Sequence, residues 1–447
     1  MERSMPISIR TLLADARSAV TRRRLARIHN LHDFEAAARR YLPHSVFSYI
    51  ANAAEDGQSS RANRHAFGDY GFMPRVLVDV SQVSQATILF DLPVSSPFGI
   101  APMGLGALWA YRADIVLADA SASAGIPMIM SGSSLIRMET LADRGDATWF
   151  QAYLPAGREA IRSLVARVQA AGFTTLVITL DTPVATNPDN NRRAGFSSPM
   201  KPSVRLAWDG ISHPGWLFNT FLRTLHHHGM PHFENNYASR GAPIFSPHVN
   251  RDISDRGHLN WDDLAFIRDI WPGRLVLKSV LHPTDAKRAQ ALGVDALIVS
   301  NHGGRQLDGA VSPLYALADI IAAVGDLPVM IDSGFRRGTD VLKALALGAR
   351  FVFIGRPFAY AAAVGGEPGV AHAIELMTAE IRRDMALLGI TRLDQLRRDH
   401  LVALTSMAER CLSNDSDPGR HDSLEHPLCR DHHTDRENHR QEARTEN

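Results

Sequence analysis

Eight short runs of nearly continuous Val, Ile, Leu and Phe, separated by stretches of helical periodicity, constrain this chain more than any other feature. They are Phe98–Met103, Pro127–Ser131, Thr148–Tyr153, Thr175–Asp181, Leu275–Val280, Ala296–Asn301, Val329–Gly334 and Phe351–Arg356. A strand with one wet face alternates apolar and polar residues. These runs barely alternate, as expected of parallel strands buried on both faces. Between them, Ala113–Ala124, Arg158–Ala171, Thr284–Leu292, Leu314–Val324 and Thr339–Leu347 carry the spacing of crossover helices. Eight βα units in succession predict an α/β chain closed into a (β/α)8 TIM barrel. An open nucleotide-binding sheet would want GxGxxG after its first strand, and none is there.

The 447 residues suit one barrel with insertions. Lys and Arg number 48 against 47 Asp and Glu, a balance that leaves no electrostatic footprint for nucleic acid. The only cysteines, Cys411 and Cys429, lack a CxxC or His-spaced partner, so neither a disulfide framework nor a metal site is expected. Reduced thiols fit a cytoplasmic setting. No apolar run approaches the roughly 20 residues that span a bilayer. Residues 1–30 form a basic extension with Arg22-Arg23-Arg24 and no apolar core of a secretory signal. It reads as a solvated leader helix, with a transit peptide as the alternative. His32–Asp56 predicts two helices, Pro43 opening the second and Gly57 near its end. The catalytic unit is expected over residues 31–410, and the polar residues 411–447 as a disordered tail.

One connection, residues 182–261 after the fourth strand, is too long for a simple crossover. It holds Trp208, Trp216, Leu217, Phe218 and Phe221 beside Arg205, Arg223 and His226-His227-His228. Two readings stand: a lid over the barrel mouth, or an interfacial patch for a membrane or partner. The three histidines are not a metal site, because adjacent side chains diverge.

In such barrels the catalytic groups sit at the C-terminal strand ends, and phosphate is held after strands seven and eight. Here strand seven runs into Asp332-Ser333-Gly334-Phe335-Arg336-Arg337-Gly338 and strand eight into Gly355-Arg356-Pro357. Glycine lets backbone N–H groups approach an anion and arginine adds bidentate contacts, so a phosphorylated ligand is expected. Strand six ends in Ser300-Asn301-His302-Gly303-Gly304-Arg305-Gln306-Leu307-Asp308. His302 can exchange protons near neutral pH, and Arg305 can clamp a carboxylate from the same rim. Asp181 at the end of strand four can stabilise a protonated imidazole, and Lys278 points from strand five toward the same centre.

With these residues the chain resembles the FMN-dependent α-hydroxy acid oxidases and dehydrogenases, over about His32 to His400. The Ser300–Asp308 stretch is the most specific match. Leu42-Pro43, Tyr49, Ala54-Glu55-Asp56, Ile100-Ala101-Pro102, Gln151-Ala152-Tyr153, Thr179–Pro183 and Arg336–Val341 support it, and Lys343–Gly348 with Gly355-Arg356-Pro357 completes it. The resemblance implies FMN with Pro102, Met103 and Gly104 against the ring through their backbone. Ser131, Gln151 and Thr179 would meet its polar edge, and Lys278 would sit where negative charge builds up on reduction. Ser300 and Asp332 belong to the same cofactor set. Gly334, Arg336, Gly355 and Arg356 would hold the phosphate. Tyr49, Tyr153, His302 and Arg305 would surround a small 2-hydroxy acid, with Asp181 behind His302. His302 would serve either as base toward the α-proton or as acceptor of the hydroxyl proton during hydride transfer. Tyr153, Lys278, Arg305 and Asp181 complete the catalytic group, and a homo-oligomer, a tetramer in many members, is expected.

Three departures matter. Pro188 stands where the family places a second substrate-facing arginine, leaving Arg192 or Arg193 as candidates to reach in. Ser133 stands where several members place a tryptophan, which predicts a wider pocket and a larger or aromatic substrate. Ser279 follows Lys278 where glycine is usual. The electron acceptor stays open among quinone, cytochrome and oxygen, with the aromatic insertion favouring a dehydrogenase that touches the inner membrane face. The alternatives are a family member redirected to peptide modification and a phosphate-binding barrel enzyme without flavin.

Overall fold

The computed structural model describes residues 19–141, 144–197, 201–246 and 257–404. The polar tail with Cys411 and Cys429, and the first part of the basic extension, lie outside the described residues.

The eight apolar runs form one closed parallel barrel. We number its strands β1 (Phe98–Ile100), β2 (Met128–Ser131), β3 (Thr148–Ala152), β4 (Thr175–Thr179), β5 (Arg274–Lys278), β6 (Ala296–Val299), β7 (Val329–Ile331) and β8 (Phe351–Ile354). Closure comes from β8 pairing with β1, Val352 against Phe98 and Ile354 against Ile100. Alternate residues point inward, so Ile129, Trp149, Val177, Val276, Ile298, Met330, Phe351 and Phe353 fill the interior as a packed core. Their neighbours in sequence face the surrounding helices in the larger core. Trp149 and Phe353 meet edge to face at 5.3 Å, and Phe90 from the antiparallel hairpin Thr87–Leu89/Leu92–Val94 plugs the far end against Trp149 at 5.4 Å.

The crossover helices lie within one residue of expectation: Ala113–Ser123, Arg158–Ala170, Pro283–Ala291, Pro313–Val324 and Gly338–Ala346. Seven of the eight strands stop one to three residues earlier than expected. Left-handed backbone just past the ladders is the reason at three of them: Ser279 (φ 76°), His302 (φ 57°) and Ser333 (φ 84°) turn the chain over the mouth after β5, β6 and β7.

The expected two helices of the His32–Asp56 stretch are α1 (Leu31–Tyr41) and α2 (His44–Ala51), and a further one, α3 (Gln58–His65), follows them. Asn30 starts α1 by accepting from the backbone N–H groups of His32 and Asp33. Leu31, Phe34 and Ala38 make its buried stripe. Gly57 does not end the second helix as expected; its left-handed backbone (φ 74°) opens the third. The described part of the basic extension is not a solvated leader. Leu25 and Ile28 are buried, and Arg24 donates from Nη1 to the Val364 carbonyl at 3.0 Å.

The long connection after β4 is partly helical, with Asp189–Arg193, Val204–Ile211 and a continuous run from Pro214 through a π-turn at Leu217–Phe221 to His228. Its residues Phe196 and Phe233 pack with Leu105, Leu108 and Leu135 beside the barrel mouth. That is a lid. No helix among the described residues is long and apolar enough to cross a membrane.

Candidate active site

Strand alternation builds the floor of the site. Two residues beyond each inward apolar side chain the next inward position falls at the mouth, and there the sequence turns polar: Ile129 gives way to Ser131, Trp149 to Gln151, Val177 to Thr179, Val276 to Lys278, Ile298 to Ser300 and Met330 to Asp332. All six polar groups are buried. Lys278, 3% exposed, pairs with Asp332 at 3.0 Å and donates to Ser300 Oγ at 2.9 Å. A buried ammonium this deep is tolerated because both contacts satisfy it. Ser131 Oγ donates to Gln151 Oε1 at 3.2 Å, while Gln151 Nε2 is a buried donor without a partner.

Above this floor His302 Nδ1 lies 3.0 Å from Asp181 Oδ1. The turn that carries the imidazole is braced twice, by Ser300 Oγ accepting from the His302 N–H at 3.0 Å and by Ser333 Oγ accepting from the Gly303 N–H at 3.0 Å. Burial pushes the Asp181 carboxyl upward, but the His302 imidazole and the Lys278 ammonium outweigh it and hold the group below the ordinary carboxylate value. Asp181 is therefore an anion aimed at the imidazole ring.

A cavity of about 610 Å³ opens over these groups. Its lining includes Pro102, Met103, Gly104, Tyr49, Tyr153, Thr179, Lys278, His302, Arg305 and Asp332, together with Gly334, Arg336, Gly355 and Arg356. Thus expected residues from seven of the eight strand ends meet in one space. Ser131, Gln151, Ser300 and Asp181 stand just outside the lining, each in contact with the groups that form it or buried beside them. Arg305 is held differently from a free clamp. Its Nη1 donates to the carbonyls of Tyr49 at 3.0 Å and Ile50 at 3.1 Å, at the C-terminal end of α2, and its guanidinium lies 5.2 Å from the centre of the Tyr49 ring.

Arg336 and Arg356 stand part-buried at one end of the cavity. Their hydrogen bonds run to backbone carbonyls, Arg336 to Phe335 and Arg356 to Ile50 and Asn52, and no carboxylate pairs with either among the described residues. Burial and the like charge of Arg305 bring Arg356 down to about 9. Two partly desolvated guanidiniums without a paired carboxylate suit an anion. Gly334 stands beside them with left-handed backbone (φ 91°), and a Cβ there would lie 2.5 Å from the Asn63 carbonyl oxygen.

A cavity with two unpaired guanidiniums at one end, an unpartnered amide donor beneath its floor and a His–Asp pair at its mouth has the outline that a flavin mononucleotide would fit. Residues 38–403 match the family model described as FMN-dependent dehydrogenase. The chain belongs to that family. It is 39% identical to the (S)-mandelate dehydrogenase of Pseudomonas putida over 84% of this chain and 94% of that one. Identity to the L-lactate dehydrogenase of Caulobacter sp. (strain K31) is also 39%, over 84% of this chain and 98% of the relative. A solved structure described as a monotopic membrane protein, (S)-mandelate dehydrogenase, superposes with a TM-score of 0.77 at 36% identity, over 84% of this chain and all of the other.

The residues present fit the cofactor of an FMN-dependent dehydrogenase on their own chemistry: Arg336 and Arg356 could seat a phosphate, Gln151 Nε2 is an unspent donor, and the Lys278 charge lies at the floor. Asp332, assigned to the cofactor from sequence, lines the cavity and pairs with Lys278. Pro188 lines the cavity, and Arg192 also reaches its lining, whereas the exposed Arg193 faces Asp189 at 3.8 Å. Sequence reasoning missed Phe196, which stacks on Tyr49 at 4.9 Å, and Ser333, which braces the histidine turn. Phe196 lies in no motif, and Ser333 sits inside the strand-seven stretch without a feature that marks its role. An aromatic inside a long lid was the available signal for Phe196.

Proposed function

We propose that this dehydrogenase oxidises an L-2-hydroxy acid with an aromatic or similarly bulky side chain to the 2-oxo acid, and delivers the electrons to a quinone at a membrane surface. The observation that carries the proposal is the His302–Asp181 pair at 3.0 Å on the rim of a cavity that also holds Arg305 and Tyr49. Bound FMN would supply the two-electron acceptor. Arg305, with the Tyr49 hydroxyl, fixes the substrate carboxylate and so orients the α-carbon. His302 Nε2 takes a proton, from the α-carbon or from the hydroxyl; the imidazolium that forms is stabilised by the Asp181 anion at Nδ1. Lys278 places a fixed positive charge at the floor, where it favours a cofactor that gains negative charge. Tyr153 lines the same wall.

Substrate size is argued from Ser133, which with Gly104 leaves open the wall where a larger side chain would stand. Mandelate fits this better than glycolate does. Lactate is the second reading, favoured by the named activity of the Caulobacter relative. The lid supports the membrane contact, with Val204, Trp208, Ile211, Phe218 and Leu222 exposed beside the exposed Arg205 and Arg223, and so does the likeness to a mandelate dehydrogenase that is a monotopic membrane protein.

Anaerobic mixing of the purified holoenzyme with a panel of 2-hydroxy acids tests the reaction and its substrate. Bleaching of the flavin band by (S)-mandelate faster than by L-lactate is the expected result; no bleaching by any 2-hydroxy acid would remove the assignment. Reoxidation by a quinone analogue in preference to oxygen, and flotation with anionic-lipid vesicles that is lost in a Trp208→Ser, Phe218→Ser double variant, test the acceptor and the membrane contact.

A further inference from the structure

Helix α2 carries Tyr49 near its C-terminal end, and Arg305 and Arg356 both donate to the carbonyls that end it. A helix of eight residues cannot hold itself in place. Pro43 at its N-cap position offers no side-chain acceptor, so the first N–H groups need one from elsewhere. It comes from the lid. Asp209 accepts from the His44 N–H through Oδ1 at 2.8 Å and from the Ser45 N–H and Ser45 hydroxyl through Oδ2 at 2.9 Å each. We propose that Asp209 is a positioning residue for substrate binding, anchoring from the lid the helix that presents Tyr49 to the substrate carboxylate.

The charges agree with this role. An anion at the N-terminus and two guanidiniums at the C-terminus both complement the helix dipole, so α2 is gripped along its axis from opposite ends. The grip has no slack to spare sideways, since the Tyr49 ring stacks on Phe196, also from the lid, at 4.9 Å. Asp209 is itself held. It sits in the helix Val204–Ile211, capped by Ser203, and its own carbonyl lies 2.7 Å from His213 Nδ1. The carboxylate is 15% exposed, and Tyr41 Oη donates to the Gly215 carbonyl at 3.1 Å to fasten the next lid turn onto α1. No cofactor-lining residue belongs to this contact, and so the anchor touches α2 without touching the phosphate seat except through Arg356.

The test compares Asp209→Ala, Asp209→Asn and Ser45→Ala holoenzymes by steady-state and stopped-flow kinetics with mandelate, alongside FMN content and melting temperature. Expected for Asp209→Ala is a KM raised about ten-fold, a scale typical of losing a helix cap, with the limiting rate of flavin reduction changed less than about two-fold and FMN retained. Asp209→Asn keeps one acceptor for the two backbone donors and should give an intermediate KM; Ser45→Ala should shift KM least and in the same direction. A KM unchanged across the set, with only the melting temperature lowered, would reduce Asp209 to a structural contact and overturn the proposal. A KM and reduction rate that worsen in parallel with loss of FMN would overturn it too. If Asp209→Ala fails to fold, the Asn and Ser45 variants carry the same decision.

Discussion

His302 and Asp181, from the ends of strands β6 and β4, meet Nδ1 to Oδ1 at 3.0 Å across the barrel mouth. The contact fixes which imidazole nitrogen is committed and leaves Nε2 for the substrate. Replacing His302 by Ala should leave FMN bound and slow flavin reduction at least about 10³-fold, toward the upper range for an acid–base group. Asp181→Asn keeps the shape but removes the anion, and should cost about 10²-fold. Because the carboxyl is held below its ordinary value, its stabilising contribution is present above the unfolded-state value and is lost only as pH falls through the lower folded one. The Asn defect should therefore be uniform from about pH 6 to 9. A defect that disappears at pH 6 in stopped-flow traces would contradict the assignment.

Arg336 and Arg356 give a second test. A partly desolvated guanidinium without a counter-anion costs the protein stability until an anion joins it. Arg356→Met should weaken FMN binding by about 10²-fold, measured by flavin titration of apoprotein, yet leave the apoprotein at least as stable to heat as the unaltered one. A Met variant that binds FMN normally would show that the cofactor's anion lies elsewhere.

The barrel was legible because parallel strands buried on two faces leave an unbroken apolar record, and each crossover helix keeps its period. The same alternation blurred the strand ends: Lys278 and Ser300 keep the inward register of the apolar residues before them, and the left-handed positions Ser279, His302 and Ser333 are not glycines, although Gly303, Gly304 and Gly334 follow two of them. Motif residues such as His302, Arg305 and Lys278 were readable by identity as candidates, and the structure gathers them around one cavity. Their partners were less so: nothing in the Ser300–Asp308 stretch says that Arg305 rests on the carbonyls of α2, and nothing near Pro43 says that its helix is capped from Asp209 in the lid. Contacts between segments this far apart in sequence depend on packing, which a single chain's pattern does not record.

Ser133 sets a prediction on specificity. Its Cβ would lie 2.8 Å from a Cβ placed on Gly104, and the Tyr49 hydroxyl 3.4 Å from the same point, so this corner of the cavity has room only because both residues are small. Ser133→Trp should lower kcat/KM for mandelate at least about ten-fold while that for lactate changes little, since filling a pocket rejects the larger side chain by the contacts it removes. Gly104→Ala should raise KM for both acids a few-fold by crowding Ser133 and Tyr49. Equal losses for the two substrates in the Trp variant would mean that the wall at Ser133 does not face the substrate's side chain.

Asp114 carries the last prediction, on stability. It lies in the first turn of the helix Ala113–Ser123, 1% exposed, with Oδ2 unpartnered and only 2.8 Å from where a Cβ on Gly106 would stand. Burial raises its carboxyl to about 7, with Ser134 opposing part of the rise. A folded-state value raised above the unfolded one gives stability that is complete below about pH 4 and is lost as pH climbs through about 7, because over that window the folded chain binds a proton that the unfolded chain has released. The protein should therefore melt at progressively lower temperature from pH 4 to pH 7 on account of this group, against whatever the other groups contribute. Asp114→Asn removes the titration, so the difference between variant and parent isolates it: equal melting temperatures near pH 4, and a variant more stable by about 5 °C at pH 8. Calorimetry of both holoenzymes at those two pH values decides the matter, and an Asn variant that is less stable at pH 8 would show that the buried carboxylate has a counter-charge and is held as an anion.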